Sequence, residues 1–169
     1  MSYLWDKLGI PRKGWICVTV IDLRPDGAPV EETDYETCQM CGNEKIRYVH
    51  IMGHAEVEEE LRVGCVCAEK MSADYENPRK RQNELRNRAN RRAKQKAEWL
   101  KRNWRRSAHG NLWLKMVICN ITIFPSKFAT GKWTFRVDQS YSQRVYDSET
   151  DAQIASFDDY WRILEARSS

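Results

Sequence analysis

The sequence predicts an α+β protein, and three observations carry that prediction. A β-branched run, Trp15 to Leu23, lies near the start. A stretch from Pro78 to Arg106 has no glycine and keeps helical spacing. The last sixty residues read as three strands followed by a helix. At 169 residues the chain is long enough for one ordinary domain or two small modules. It divides by pattern into 1–76, 77–109 and 110–169.

In the first segment, the strand Trp15–Leu23 closes at the turn signal Pro25-Asp26-Gly27. Cys17 inside it reads as a buried strand residue. Then come Cys38-Gln-Met-Cys41-Gly42-Asn43, a strand Lys45–Met52, an acidic turn (Glu56, Glu58, Glu59, Glu60), a strand Leu61–Val63, and Gly64-Cys65-Val66-Cys67-Ala68 at a helix start. A C-x2-C turn offers two thiolates from one tight loop, and Gly42 after the second cysteine lets the chain reverse. The second pair, at a helix N-terminus, is placed where thiolate is favoured. Two close pairs separated by a hairpin predict one structural Zn2+ on Cys38, Cys41, Cys65 and Cys67. The C-x-C spacing leaves a second set open, in which Cys67 alone of that pair ligates and His50 or His54 completes the site. A site whose four positions are all filled by protein has no place for a catalytic water.

These residues resemble treble-clef and zinc-ribbon modules, in particular small zinc-binding proteins of bacteria and phages with a C-x2-C-G, a hairpin and a Val-Gly-x-x-Cys-Ala helix start. The resemblance spans Cys38 to Met71. It implies a zinc knuckle, and it leaves function open because such knuckles serve nucleic-acid binding, protein docking and stabilisation alike.

The second segment opens at Asn77-Pro78, an N-cap followed by proline at the first helical position, and is expected to run to about Arg106, roughly 43 Å. The whole chain carries a formal +4. Pro78 to Arg106 holds 13 basic residues and two acidic ones, Glu84 and Glu98, so this stretch is +11 and the remainder −7. Leu85, Ala89, Ala93, Ala97, Leu100 and Trp104 form one expected packing stripe. Arg79, Lys80, Arg81, Arg88, Arg91, Arg92, Lys94, Lys101, Arg102, Arg105 and Arg106 fall largely outside it and are the candidate nucleic-acid contacts. Cations crowding the N-terminal turn oppose the helix dipole, so an anion or an acidic surface is expected there. Arginine outnumbers lysine nine to four, which suits phosphate; an acidic partner protein, or the chain's own −7 remainder, is the alternative.

In the third segment a strand Leu112–Phe124 ends at Pro125, Lys132–Asp138 follows the Thr130-Gly131 turn, Arg144–Tyr146 is short, and Ser148-Glu-Thr-Asp151 opens a helix with Ile154, Phe157, Trp161 and Leu164 on its apolar face. Trp133, Phe135 and Val137 are expected to pack on that helix, leaving Lys132, Thr134 and Arg136 outside; Lys132 and Arg136 join the candidate nucleic-acid contacts. Residues Ile121–Leu164 are similar to the sheet-plus-helix DNA-binding domain of plant ethylene-response factors and phage integrase arms, which implies a sheet face entering the major groove. A double-stranded RNA-binding fold fits less well, since Ser148-Glu-Thr-Asp151 stands where its basic cluster would be.

No Walker loop or G-x-G-x-x-G is present, and no catalytic residue is assigned; a histidine-metal nuclease using His50 or His54 is the remaining enzyme reading. The N-terminus lacks a secretory pattern and no apolar run is long enough to span a bilayer, so the expected compartment is the cytoplasm, with reduced cysteines. The sequence thus predicts a non-enzymatic zinc protein that binds nucleic acid, DNA before RNA, through its basic helix. The alternative is a protein-interaction subunit of a phage or bacterial assembly.

Overall fold

The structure, a computed structural model, describes residues 4–25 and 30–168. The turn expected at Pro25-Asp26-Gly27 lies partly outside them. The chain forms two compact units, 1–91 and 92–169, and the division falls inside one long helix.

The first unit holds an antiparallel sheet in the order β1 (Ile16–Asp22), β2 (Tyr48–His54), β3 (Val57–Val63). Val49, His50, Ile51 and Met52 of the central β2 are all buried, so both of its faces are covered. In β1, Cys17 pairs with Met52 and Thr19 with Ile51, which leaves Val18 as an extra residue in a bulge. The bulge breaks the in-out alternation, and Ile16 and Val18 end up exposed on what reads as a buried strand. Helix α1 (Cys65–Ser72) follows β3 directly and buries Cys67, Ala68 and Met71 with Trp15, Met40, Leu61 and Val63.

Helix α2 runs Asn77–Ala97. Asp74 accepts the Asn77 amide at 2.9 Å and the Glu76 amide at 3.0 Å, which supplies the negative charge the helix N-terminus favours. The helix stops nine residues before the expected Arg106. Trp99 sits in a 3-10 turn, Trp99–Lys101, and is 1% exposed, with its indole N–H donated to the Gln153 carbonyl at 2.8 Å. No local breaker marks this point; burying the indole outweighs helix propensity. Ala93, Ala97 and Leu100 of the expected packing stripe are exposed, while Ala89 is buried.

The second unit has five antiparallel strands in sequential order, where the pattern predicts three: β4 (Arg105–Arg106), β5 (Leu112–Lys115), β6 (Asn120–Pro125), β7 (Trp133–Val137) and β8 (Ser140–Tyr141). The run Leu112–Phe124 is split by a reversal, with the Met116 amide donated to the Cys119 carbonyl. Tyr146 of the expected third strand makes only an isolated bridge to Trp133. Helix α3 (Glu149–Ala166) starts at Ser148, whose hydroxyl accepts the Asp151 amide as expected. Phe157, Tyr160 and Trp161 of α3 pack with Trp99, Ile121, Ile123, Phe135 and Val137, while Ile154, expected on the apolar face, is exposed. Among the described residues no helix is long and apolar enough to cross a membrane.

Candidate metal centre and basic surface

Cys38 and Cys41 lie in a turn closed by the Gly42 amide on the Cys38 carbonyl at 2.7 Å and the Cys38 amide on the Asn43 carbonyl at 2.8 Å. Gly42 has φ of 71°, the left-handed conformation that glycine adopts without strain. Cys67, in the first turn of α1, faces this turn, and the three sulfurs lie within 4.8 Å of one another. A tetrahedral zinc–thiolate site has Zn–S of about 2.3 Å and hence sulfurs about 3.8 Å apart, so a small contraction closes these three on an ion. The group is compatible with a metal site.

The electrostatics agree. A hydrogen bond from the Cys67 thiol draws Cys38 down to about 5, helped against the cost of burial by the amides of Gly64, Cys41 and Met40. The Gly64 amide lies 3.4 Å from the Cys38 sulfur. Cys67 moves the opposite way, because it holds the proton shared with Cys38 and is itself buried. Three packed thiols cannot all ionise unaided, and a divalent cation removes that conflict.

Cys65 falls outside this group. Its sulfur lies 3.8 Å from a Glu69 carboxylate oxygen, and burial followed by the Glu69 charge pushes its thiol up to about 11. Among the described residues the cluster thus takes in one cysteine of the second pair, Cys67, and matches neither four-ligand set in full. Gly64 holds the position three before Cys67 that a C-x2-C pair would fill; a Cβ there would meet the Ile46 methyl at 3.2 Å. Neither histidine joins the sulfurs. The His54 ring lies 5.1 Å from the Trp15 ring, and its Nδ1 accepts the Glu56 amide. His50 is fully buried with Nδ1 3.8 Å from the Cys17 sulfur and Nε2 3.4 Å from the Gln82 side-chain oxygen.

Several of the basic residues are engaged within their own unit. Arg79 makes a two-pronged pair with the buried Glu69 at 2.7 and 3.0 Å, and Arg81 donates to the Cys17 carbonyl at 2.8 Å. With His50 and Gln82, these contacts fix the first half of α2 to β1, β2 and α1. Part of the anion expected at that helix terminus is therefore the chain's own Glu69 and Asp74. In the second unit Arg92 and Lys96 meet Asp158, Arg106 pairs with Glu149, and Lys132 with Asp147. Arg105 lies over the Trp113 ring at 5.6 Å. Lys80, Arg88, Arg91, Lys94 and Lys101 are exposed, as Arg136 and Arg102 are in part. Among the described residues Lys80 and Arg91 have no carboxylate partner.

Lys80 and Arg91 are eleven residues apart, close to three turns, and so lie on one stripe of α2 opposite the buried Pro78 and Ala89. Beside this stripe a groove of about 460 Å3 runs between α2 and β1, lined by Arg81, Arg88, Arg91, Leu85 and Val18, with Glu84 its one acid. The charge segregation was legible in the sequence; the groove was not, because it depends on the β1 bulge.

Compared with known proteins, the chain matches no family model, no curated protein and no solved structure. Its chemistry rests on its own residues.

Proposed function

We propose that this chain is a zinc protein that binds nucleic-acid phosphate along α2. One zinc ion, held by Cys38, Cys41 and Cys67, would tie the 38–43 turn to the start of α1. Through Glu69 and Arg79 that framework would hold α2 in place. The observation that carries the reading is the α2–β1 groove, where three arginines converge against a single glutamate. Arginine's planar fork suits phosphate, and a groove presenting guanidinium from one helix follows a phosphate backbone without reading sequence.

Direct binding to duplex DNA, single strands and RNA tests it. Contact with about six phosphates gives a log–log salt slope near −5 on duplex DNA. The double variant Arg88→Ala, Arg91→Ala is expected to lower the affinity about tenfold or more and to flatten that slope by about 2. No binding at about 50 mM salt, where phosphate contacts are strongest, refutes the reading. For the metal, elemental analysis is expected to find one zinc per chain, lost in Cys38→Ser.

A second reading has its own support. Val18, at 55% exposure, and the half-buried Leu85 put apolar surface beside the arginines. A partner protein with an acidic and apolar segment would bury that surface, whereas phosphate would not. Loss of partner capture in Val18→Asp with nucleic-acid binding intact would favour this alternative.

A further inference from the structure

The second unit carries a surface of different chemistry. Helix α3 covers one face of its sheet, through Ile121, Ile123, Phe135 and Val137. On the opposite face the strand register sets one residue from each strand in line: Arg105 pairs with Trp113, Trp113 with Thr122, Thr122 with Arg136, and Arg136 with Tyr141. Paired residues project to the same side of a sheet, so a row of cation, aromatic, hydroxyl, cation, aromatic crosses all five strands. Phe124, two residues along β6 from Thr122, shares that side and meets Tyr141 edge-on at 6.1 Å.

A groove of about 810 Å3 opens on this face, reaching Phe128 and bounded also by Lys127 and Arg144. No aspartate or glutamate lines it. Among the described residues neither Arg105, Lys127, Arg136 nor Arg144 has a carboxylate partner. Phe128 is 98% exposed and Tyr141 62%, so large aromatic area faces solvent where folding gains nothing from it.

We propose that this face binds an unpaired nucleic-acid strand, with bases stacked on Phe124, Phe128, Tyr141 and Trp113 and phosphates met by Arg136, Arg144, Lys127 and Arg105. Two features select this occupant. Rings interleaved with cations, exposed at Phe128 and Tyr141 and half-buried at Phe124 and Trp113, offer flat π-surfaces at the spacing of a sheet together with charge for a backbone, the combination that single strands use. A duplex presents phosphate but keeps its bases stacked inside, leaving the rings with nothing to cover them. An acidic peptide would satisfy the cations without covering four rings. The proposal stands on residues separate from the α2 groove and goes beyond the phosphate binding assigned there.

The test uses the full chain and four probes of fifteen units: dT15, U15, an abasic deoxyribose-phosphate strand of equal charge, and a 15-base-pair duplex. Binding of dT15 or U15 at least tenfold tighter than the abasic strand is expected, and whichever of the two binds tighter identifies DNA or RNA as the source. Phe124→Ala and Tyr141→Ala should each lower dT15 or U15 affinity about 5- to 100-fold and leave abasic and duplex binding unchanged. Tyr141→Phe should restore binding, since stacking needs the ring and not the hydroxyl. Equal affinity for abasic and base-bearing strands, or ring variants that bind like the parent, overturns the proposal. Failure of the α2 reading looks different: Arg88→Ala, Arg91→Ala then leaves duplex and abasic binding untouched. Unchanged thermal midpoints of the ring variants confirm that the readout is binding and not unfolding.

Discussion

The two units reach stability by different chemistry. The first has three strands and an interior that includes three clustered thiols, a buried histidine and a buried glutamate. The second has five strands and an aromatic interior: Trp99 stacks on Tyr160 at 5.0 Å and meets Phe157 and Trp104 edge-on at 5.3 and 5.8 Å. Large rings each bury much apolar area and dominate the energetics of such a core. A unit with polar groups in its core needs each one partnered, and a cluster of three thiols is well placed to be partnered by an ion. The difference teaches where each unit is vulnerable: the first to changes in the charge and protonation of its buried polar groups and, on the zinc reading proposed above, to loss of metal, the second to loss of volume.

The largest way to break this comparison is to remove the metal. Structural zinc contributes on the order of 10 kcal/mol to small modules, so on the proposed zinc reading Cys38→Ser or a strong chelator is expected to unfold the first unit. Amide NMR signals from β1–β3 and α1 should collapse while those from β5–β7 and α3 persist. Joint loss of both sets, or retention of both, would contradict separate stabilisation. Next in size is Trp99→Ala, which empties the centre of the aromatic cluster and is expected to cost about 3–5 kcal/mol. Chemical denaturation should show the transition of the second unit shifted, with zinc content unchanged.

How much of this was legible in the sequence differs between the units for the same physical reason. In the first, C-x2-C-G and the helix start at Cys65 are local signals, and they led to the turn and to α1. The choice between Cys65 and Cys67 was not local, since it depends on which face of α1 is set against the 38–43 turn. In the second, the Ser148 cap and the Trp133, Phe135, Val137 alternation were readable, because caps and alternation are short-range. The end of α2 was not: Trp99 leaves the helix for contacts more than fifty residues away. β4 and β8 are two residues each, too short for any periodicity. The row of cations and rings on the sheet depends on register across five strands, which no single segment encodes.

A subtler break comes from pH. Burial holds His50 below its ordinary 6.5, opposed by Gln82 and the Glu69 charge and aided by Arg81, with Cys17 on its other nitrogen. The folded chain keeps the ring neutral, whereas the unfolded chain takes up a proton as pH falls through about 6.5. Its contribution is therefore complete above 6.5 and is lost progressively as pH falls below it toward the folded value. The denaturation midpoint of the first unit is expected to drop as pH falls below about 6.5, and His50→Gln should flatten that fall. The fall below pH 4, from Asp22 held down by Arg47 and Glu69 by Arg79, should remain. Following zinc release with a chromophoric chelator separates histidine protonation from thiolate protonation; a window that tracks zinc release alone would remove His50 from the account.

The smallest expected effect is the sharpest for the metal site. Cys65 and Cys67 both lie in the first turn of α1, yet side chains two apart on a helix do not share a face. With Cys67 turned to Cys38 and Cys41, Cys65 is turned to Glu69, four residues along its own face. Cys65→Ser should thus keep one zinc per chain and leave the thiolate-to-metal absorption of the cobalt-substituted protein unchanged, while Cys41→Ser and Cys67→Ser lose it. A weakened cobalt band in Cys65→Ser would mean that the first turn of α1 rearranges on metal binding to bring both of its cysteines to one ion. The first unit would then owe its shape to the metal more deeply than its strands and ion pairs imply.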